Sequence, residues 1–279
     1  VAEGLRTAVR GAAGRFFAEP PAVKQRYAVT VGGRGWLATG VEANAYAEEG
    51  GESPPDLKES YSVGADQPIG DPAVDGFWFA ENTWPDDEVP ELRTAAKTYL
   101  AEMRRLADDL LRLLAASLGE PEDAFTRYAT HPTHTFNINW YPARRRTGDP
   151  QPGQFRIGPH TDFGTVTILE RQAGKGGLQI YSDVDGWVDA PHDPAALTVN
   201  IGDLMARWTA DRWRSGRHRV LPPPQDAPEE ELMSLVYFYE CDHDAVVTAI
   251  GPEEGRRNEY RPVVASAYLK SKLDAITVG

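Results

Sequence analysis

Two histidines and one aspartate are the residues of this chain best suited to chemistry. His160 and Asp162 stand in the tripeptide His160-Thr161-Asp162, and His218 stands in Arg217-His218-Arg219-Val220. Residues two apart on a strand share a face, so His160 and Asp162 can chelate one ion while His218 arrives from another strand. Two imidazoles and a carboxylate on one face of an octahedral ion leave the opposite positions open, the usual mark of non-haem Fe(II) oxygenases. Zinc accepts the same three ligands together with a water. A zinc hydrolase of that kind, however, carries a general base in helical context, as in H-E-x-x-H, and that motif is missing here. The other histidines, His131, His134, His192 and His243, sit near Pro, Asp or Thr without a metal spacing and are expected to be structural or exposed.

The triad needs strands to carry it. From Thr133 onward, short strand-like runs recur between Gly, Pro and Asp, at 135–140, 156–162, 165–170, 178–181, 197–201, 218–221, 234–239 and 245–250. Strands at this spacing predict a mainly β protein with a helical annex, its core a two-sheet jelly roll or double-stranded β-helix. Leu5, Val9, Ala13, Phe16 and Phe17 fall near helical spacing until Pro20-Pro21. A longer helix is expected over 91–118, with Leu92, Ala96, Tyr99, Met103, Leu106, Leu110, Leu113 and Leu114 as a stripe against the sheet and Gly119 as its stop. A closing helix is expected over 265–276, packed on the outside. Gly32-Gly33-Arg34-Gly35, Gly50-Gly51 and several prolines mark a loop-rich stretch between the first two helices. It is no phosphate loop, because no strand precedes it suitably and no Lys-Ser/Thr pair follows. The expected organisation is one structural domain: a helical and loop region over 1–132, the β core over 133–250, and a C-terminal helix within 251–279.

A chain of 279 residues with 41% hydrophobic and 25% charged residues can bury a large single core. The net charge of −13 arises from 42 acidic against 29 basic residues without a Lys/Arg-rich block, so nucleic acid and anionic membranes are poor partners. Cys241 is the only cysteine. That excludes an intrachain disulfide and any cysteine-based zinc or iron–sulfur site, and fits a cytoplasmic location. No apolar run reaches the roughly 18 residues of a membrane span. The excess of arginine over lysine fits a GC-rich bacterial coding bias.

Around the triad, several motifs in order resemble the isopenicillin-N-synthase-like branch of the 2-oxoglutarate/Fe(II)-dependent dioxygenases. They are Asn139-Trp140-Tyr141-Pro142, His160-Thr161-Asp162-Phe163-Gly164-Thr165, Gly177-Leu178-Gln179-Ile180, Val199-Asn200-Ile201-Gly202-Asp203, and Arg212-Trp213-Arg214-Ser215 ahead of His218. Asp56-Leu57-Lys58-Glu59-Ser60 resembles a D-x-K-E element of the same family. The likeness covers nearly the whole chain. It places Val1 some way into the family's N-terminal region, so a leading segment is expected before it. The resemblance implies Fe(II) held by His160, Asp162 and His218, with 2-oxoglutarate as cosubstrate. With O2, these would oxidise a C–H bond of a small-molecule substrate by hydroxylation, desaturation or cyclisation. It also implies that Tyr141 and Ser234 bind the distal carboxylate of 2-oxoglutarate, with Asn139 near its 2-oxo acid end.

One position departs from that pattern. The family's R-x-S motif falls on Leu232-Met233-Ser234, so leucine stands where an arginine normally meets the distal carboxylate. Leu232, Ser234, Val236 and Phe238 share a strand face expected to point into the barrel. A carboxylate buried there without a cation is costly. Arg156, with the parity of His160, is the first candidate to replace the missing charge, and Arg207 is the second. Each can instead form a rim salt bridge or clamp a substrate carboxylate. Phe163, Val166, Trp208, Val236 and Phe238 are candidates to line a substrate pocket or to fill the core. Two other functions stay open: a 2-oxoglutarate-independent oxidase of the isopenicillin N synthase type, and a non-catalytic ligand-binding jelly roll. The intact triad speaks against the latter.

Overall fold

Two long strands whose side chains alternate between two buried faces organise the molecule: β3 (Pro132–Tyr141) and β10 (Leu232–Asp242). The computed structural model describes residues 1–45, 54–175, 177–222, 224–250 and 256–277; Gly50-Gly51 lies outside them. The other strands are β1 (Gly35–Leu37), β2 (Glu59–Gly64), β4 (Ile157–His160), β5 (Val166–Arg171), β6 (Leu178–Ser182), β7 (Gly186–Asp189), β8 (Thr198–Ile201), β9 (His218–Val220), β11 (Val246–Val247) and β12 (Val263–Val264). They form a six-stranded sheet in the order β1-β2-β3-β10-β5-β8, a four-stranded sheet in the order β4-β9-β6-β7, and the small pair β11-β12. All the strand pairs run antiparallel, and the two larger sheets make the expected double-stranded β-helix.

The register on β10 sets which residues can meet inside. Ser234 lies opposite Asn139 on β3 and opposite Arg171 on β5, and Leu232 lies opposite Tyr141. Leu232, Ser234, Val236 and Phe238 accordingly share the inward face. The alternate set, Met233, Leu235, Tyr237 and Tyr239, is buried in the hydrophobic core on the other side of the sheet. That outer layer is built by helices α1 (Glu3–Ala18) and α2 (Pro90–Ser117). Phe17 of α1 stacks on Trp140 of β3 with ring centroids 5.6 Å apart, and Tyr99 of α2 meets Phe136 at 5.1 Å.

The core stripe of α2 differs from the expected one in its second half. Leu92, Ala96, Tyr99 and Met103 are buried, but the line continues through Ala107, Leu111 and Ala115. Leu106, Leu110 and Leu114 are half-buried, and Leu113 is 67% exposed. The helical period carries the buried line onto these small residues; α1 packs against the same helix and buries its own Ala12 and Ala13. Gly119, with φ +74°, supplies the left-handed residue that ends the helix.

Other differences concern short strands. The stretch read as loop-rich supplies β1 and β2, which extend the main sheet through β3. β7 was not expected; it pairs with β6 through a turn ending at Gly186, whose φ is +71°. The run expected over 245–250 shrinks to β11, paired with β12. Helix α3 (Asp203–Trp208) follows β8, and helix α4 (Ala265–Ile276) closes the described chain over the expected residues. Val166 and Trp208, candidates for a substrate pocket, lie in the core, where Trp208 packs against Phe125 and Tyr128.

Candidate metal centre

The three residues singled out by type and spacing meet at one point. His160 ends β4, Asp162 follows two residues on, and His218 opens β9 directly opposite His160 in the β4–β9 register. One ligand atom from each lies within 4.8 Å of the others. Asp162 Oδ1 sits 3.6 Å from His160 Nε2 and 3.7 Å from His218 Nε2. His160 Nδ1–H donates to the Gly158 carbonyl at 2.8 Å and His218 Nδ1–H to the Gly216 carbonyl at 2.9 Å. Each ring thereby turns its Nε2 lone pair toward Asp162, as metal-binding imidazoles require. Asn200 Nδ2 donates to Asp162 Oδ2 at 2.6 Å, leaving Oδ1 for a metal.

Charge states fit the same use. Burial, and then the neighbouring His218, push His160 down to about 4, so it is neutral at physiological pH, as a metal ligand has to be. Burial alone would raise Asp162, but the two histidines and hydrogen bonds from Thr167 and Asn200 hold it below the usual carboxylate range. Imidazole nitrogens together with a carboxylate suit a divalent first-row metal, Fe(II) included. The strand stops at His160, short of the expected 156–162, and Asp162 is held instead by backbone: Asp203 N–H donates to its carbonyl at 2.8 Å. Gly202 permits this approach, since a Cβ there would run into the Gly164 backbone. Asn200 was quoted in a motif without a role; its inward parity on β8 was the available signal.

A cavity of about 280 Å³ runs from the triad into the barrel. Asn139, Tyr141 and Ser234 all line it, as do Leu232, Val236 and Phe238. The Tyr141 hydroxyl lies 3.1 Å from Ser234 Oγ, and Asn139 Oδ1 accepts from Ser60 Oγ at 2.7 Å. Arg156 does not line this cavity. A register shift between Ile157 and His160 breaks the parity on which its inward placement was argued, and Ile157 faces the cavity instead. Arg156 is buried, bonds to the side chain of Glu230 at 3.0 Å and its carbonyl at 3.1 Å, and lies 5.8 Å from the Tyr141 ring. Arg207 is elsewhere, its guanidinium over the rings of Tyr260 and Tyr268 at 4.4 and 5.1 Å. Arg171 and His192, not expected here, are among the other residues lining the cavity.

A second cavity of about 130 Å³ also reaches His160 and Asp162, and Phe163 lines it together with Asn44, Lys58, Asn137 and Glu240. Polar groups are set into its wall. His134 Nδ1, Asn137 Oδ1 and Glu240 Oε2 are buried without a hydrogen-bond partner among the described residues. Burial, and then the charge of Asp162, push Glu240 up to about 8, so at neutral pH it can donate a proton to a hydrogen bond. Burial, then Arg34 and Arg104, push His134 down to about 3, leaving it neutral. Lys58 stays charged despite burial because Glu42 and Asp56 face it. His134 is half-buried at this cavity's edge, whereas His131 is tied to the Gln67 carbonyl at 2.7 Å.

Comparison with known proteins agrees with this geometry. The sequence signature of the 2OG-Fe(II) oxygenase superfamily matches residues 128–241. Validamycin A dioxygenase of Streptomyces hygroscopicus subsp. limoneus is 41% identical over 275 residues, covering 98% of this chain and 75% of that protein. A 2-oxoglutarate-dependent dioxygenase of Didymella fabae is 30% identical, covering 84% of this chain and 70% of its own. Among solved structures, full-length Neurospora crassa T7H in complex with alpha-KG and thymine superposes with a TM-score of 0.81. It shares 26% identity over 99% of this chain and 84% of that one. Among the described residues, no helix is long and apolar enough to cross a membrane.

Proposed function

Because the chain belongs to the 2OG-Fe(II) oxygenase superfamily and oxidises a small metabolite with Fe(II), O2 and 2-oxoglutarate, we propose a division of labour among its residues. His160, Asp162 and His218 ligate the iron; Asn139, Tyr141 and Ser234 receive 2-oxoglutarate in the larger cavity; the substrate occupies the second. The observation that carries this reading is that two adjoining cavities, which also share Asn139, Ile157 and Phe238, open onto the same pair of residues, His160 and Asp162. A cosubstrate and a substrate that must react at one metal need that arrangement.

Bound Fe(II) supplies the oxidising chemistry, coupling cleavage of a substrate C–H bond by O2 to decarboxylation of 2-oxoglutarate to succinate. The chain's own part is placement and shielding. Asp162 offsets part of the metal's charge, and Asn200 fixes which carboxylate oxygen faces it. Leu232, Val236 and Phe238 keep the inner cavity apolar, which limits water near a reactive centre.

The polar groups set into the second cavity suit a substrate bearing hydroxyl groups, since Asn137, His134 and Glu240 hold unspent hydrogen-bonding capacity there. Validamycin A, the compound named for the 41%-identical relative, is therefore the first substrate to test. The acidic balance and the single buried Cys241 support action on a small molecule in the cytoplasm, without nucleic-acid or membrane partners. The deciding experiment incubates the Fe(II)-loaded protein with 2-oxoglutarate, O2 and validamycin A. Succinate should rise in step with a product heavier by one oxygen or lighter by two hydrogens. Succinate release that validamycin A and related polyols leave at the substrate-free rate would refute the substrate assignment.

A further inference from the structure

2-Oxoglutarate carries a second carboxylate, and the larger cavity has to neutralise it although position 232 offers only leucine. The cations near that cavity differ in what already faces them. Arg156 is paired with Glu230 at 3.0 Å, Lys58 with Glu42, and Lys175 at the exposed rim with Asp226 at 2.5 Å. Arg171 lines the cavity and has neutral partners instead. Its Nη2 donates to the carbonyls of Ala190, at 2.9 Å, and Pro191. Its Nε is buried with no hydrogen-bond partner among the described residues. Burial lowers its pKa, and no nearby anion offsets that loss. A guanidinium set into a cavity wall under these conditions is a charge awaiting its counterion.

Register fixes where Arg171 aims. It lies directly across from Ser234 in an unbroken β5–β10 ladder, with Thr167 and Leu169 on the same inward face. Cross-strand partners stand about 5 Å apart at Cβ, so Arg171 and Ser234 project side by side, and Ser234 already meets the Tyr141 hydroxyl. The leucine at 232 is also accounted for. Its methyl groups press on the chain that follows β5, where a Cβ on Gly174 would stand 2.6 Å from Leu232 Cδ1.

The geometry points to Arg171 as the cation that anchors the distal carboxylate of 2-oxoglutarate, together with Tyr141 and Ser234, from β5 rather than β10. This assignment rests on the reading of the larger cavity as the cosubstrate site. It is tested by equilibrium binding to the metal-loaded protein under anaerobic conditions, by calorimetry and by the visible band of the chelate. Two ligands are compared: 2-oxoglutarate, and pyruvate, which keeps the 2-oxo acid end but lacks the distal carboxylate.

Arg171→Gln should weaken 2-oxoglutarate by roughly 30-fold or more, the effect of stripping one partner from a buried charge pair, and leave pyruvate unchanged. Arg171→Lys, which keeps the charge and guards against a variant that folds poorly, should lose much less. Equal 2-oxoglutarate affinity in Arg171→Gln and wild type would overturn the assignment. So would a parallel loss of both ligands, or a selective loss in Arg156→Gln instead. Wild-type protein that binds pyruvate but shows no preference for 2-oxoglutarate would overturn the cavity reading itself.

Discussion

Asp162 presents two oxygens with different tasks: Oδ1 faces both imidazoles, while Oδ2 accepts from Asn200 at 2.6 Å. Without that donor the carboxylate can rotate, and a metal loses the preset geometry. Asn200→Ala is expected to weaken Fe(II) binding by roughly 10–100-fold, the usual effect of losing such a supporting partner, as read by anaerobic competition with a chelating dye; unchanged affinity would assign Asn200 a packing role. That His160, Asp162 and His218 belong together was legible in the sequence because metal binding restricts both residue type and spacing. Asn200 and Arg171 were not, since their roles depend on which strand lies alongside, and an asparagine or arginine by itself says nothing of that. Arg156 illustrates the opposite error: its parity with His160 was real in the sequence, but the bulge between Ile157 and His160 reversed the face.

Helix α2 and strands β3 and β10 form the support on which the site rests, and their interface is mainly apolar, with the Tyr239 hydroxyl donating to Asp108 at its edge. Met103 is fully buried, so Met103→Ala should cost about 2–5 kcal/mol in chemical denaturation. Leu113, 67% exposed, should tolerate alanine within about 0.5 kcal/mol. A comparable loss at both positions would mean that the helix packs on another face. Long elements were readable because many residues repeat the same period: α2, α4, β3 and β10 all stand near their expected bounds. β1 and β7 are only three or four residues long, too short for alternation to emerge, and they exist because a neighbouring edge is available to pair with. The leucine-based stripe on α2 erred for a related reason. Leucine content points to one face, whereas the helical period through Met103 buries Ala107 and Ala115.

At the scale of the molecule, the triad and the core are nearly separate systems. His160, Asp162 and His218 come from the four-stranded sheet and its exit, while the hydrophobic cluster lies between the six-stranded sheet and helices α1 and α2. Removing the metal should therefore leave the fold intact and only reduce its stability. By linkage, a divalent metal at 100 times its Kd adds about 2.7 kcal/mol to the folded state. For a chain of this size that corresponds to an increase in Tm of roughly 5 °C. Thermal scans with Mn(II), which resists oxidation, against excess chelator should show this shift with identical far-ultraviolet circular dichroism at 25 °C. His160→Ala should melt at the same temperature with and without Mn(II). Loss of secondary structure on chelation alone would instead mean that the ligand-bearing strands β4 and β9 need the ion to pair, and that the core does not hold them in place by itself.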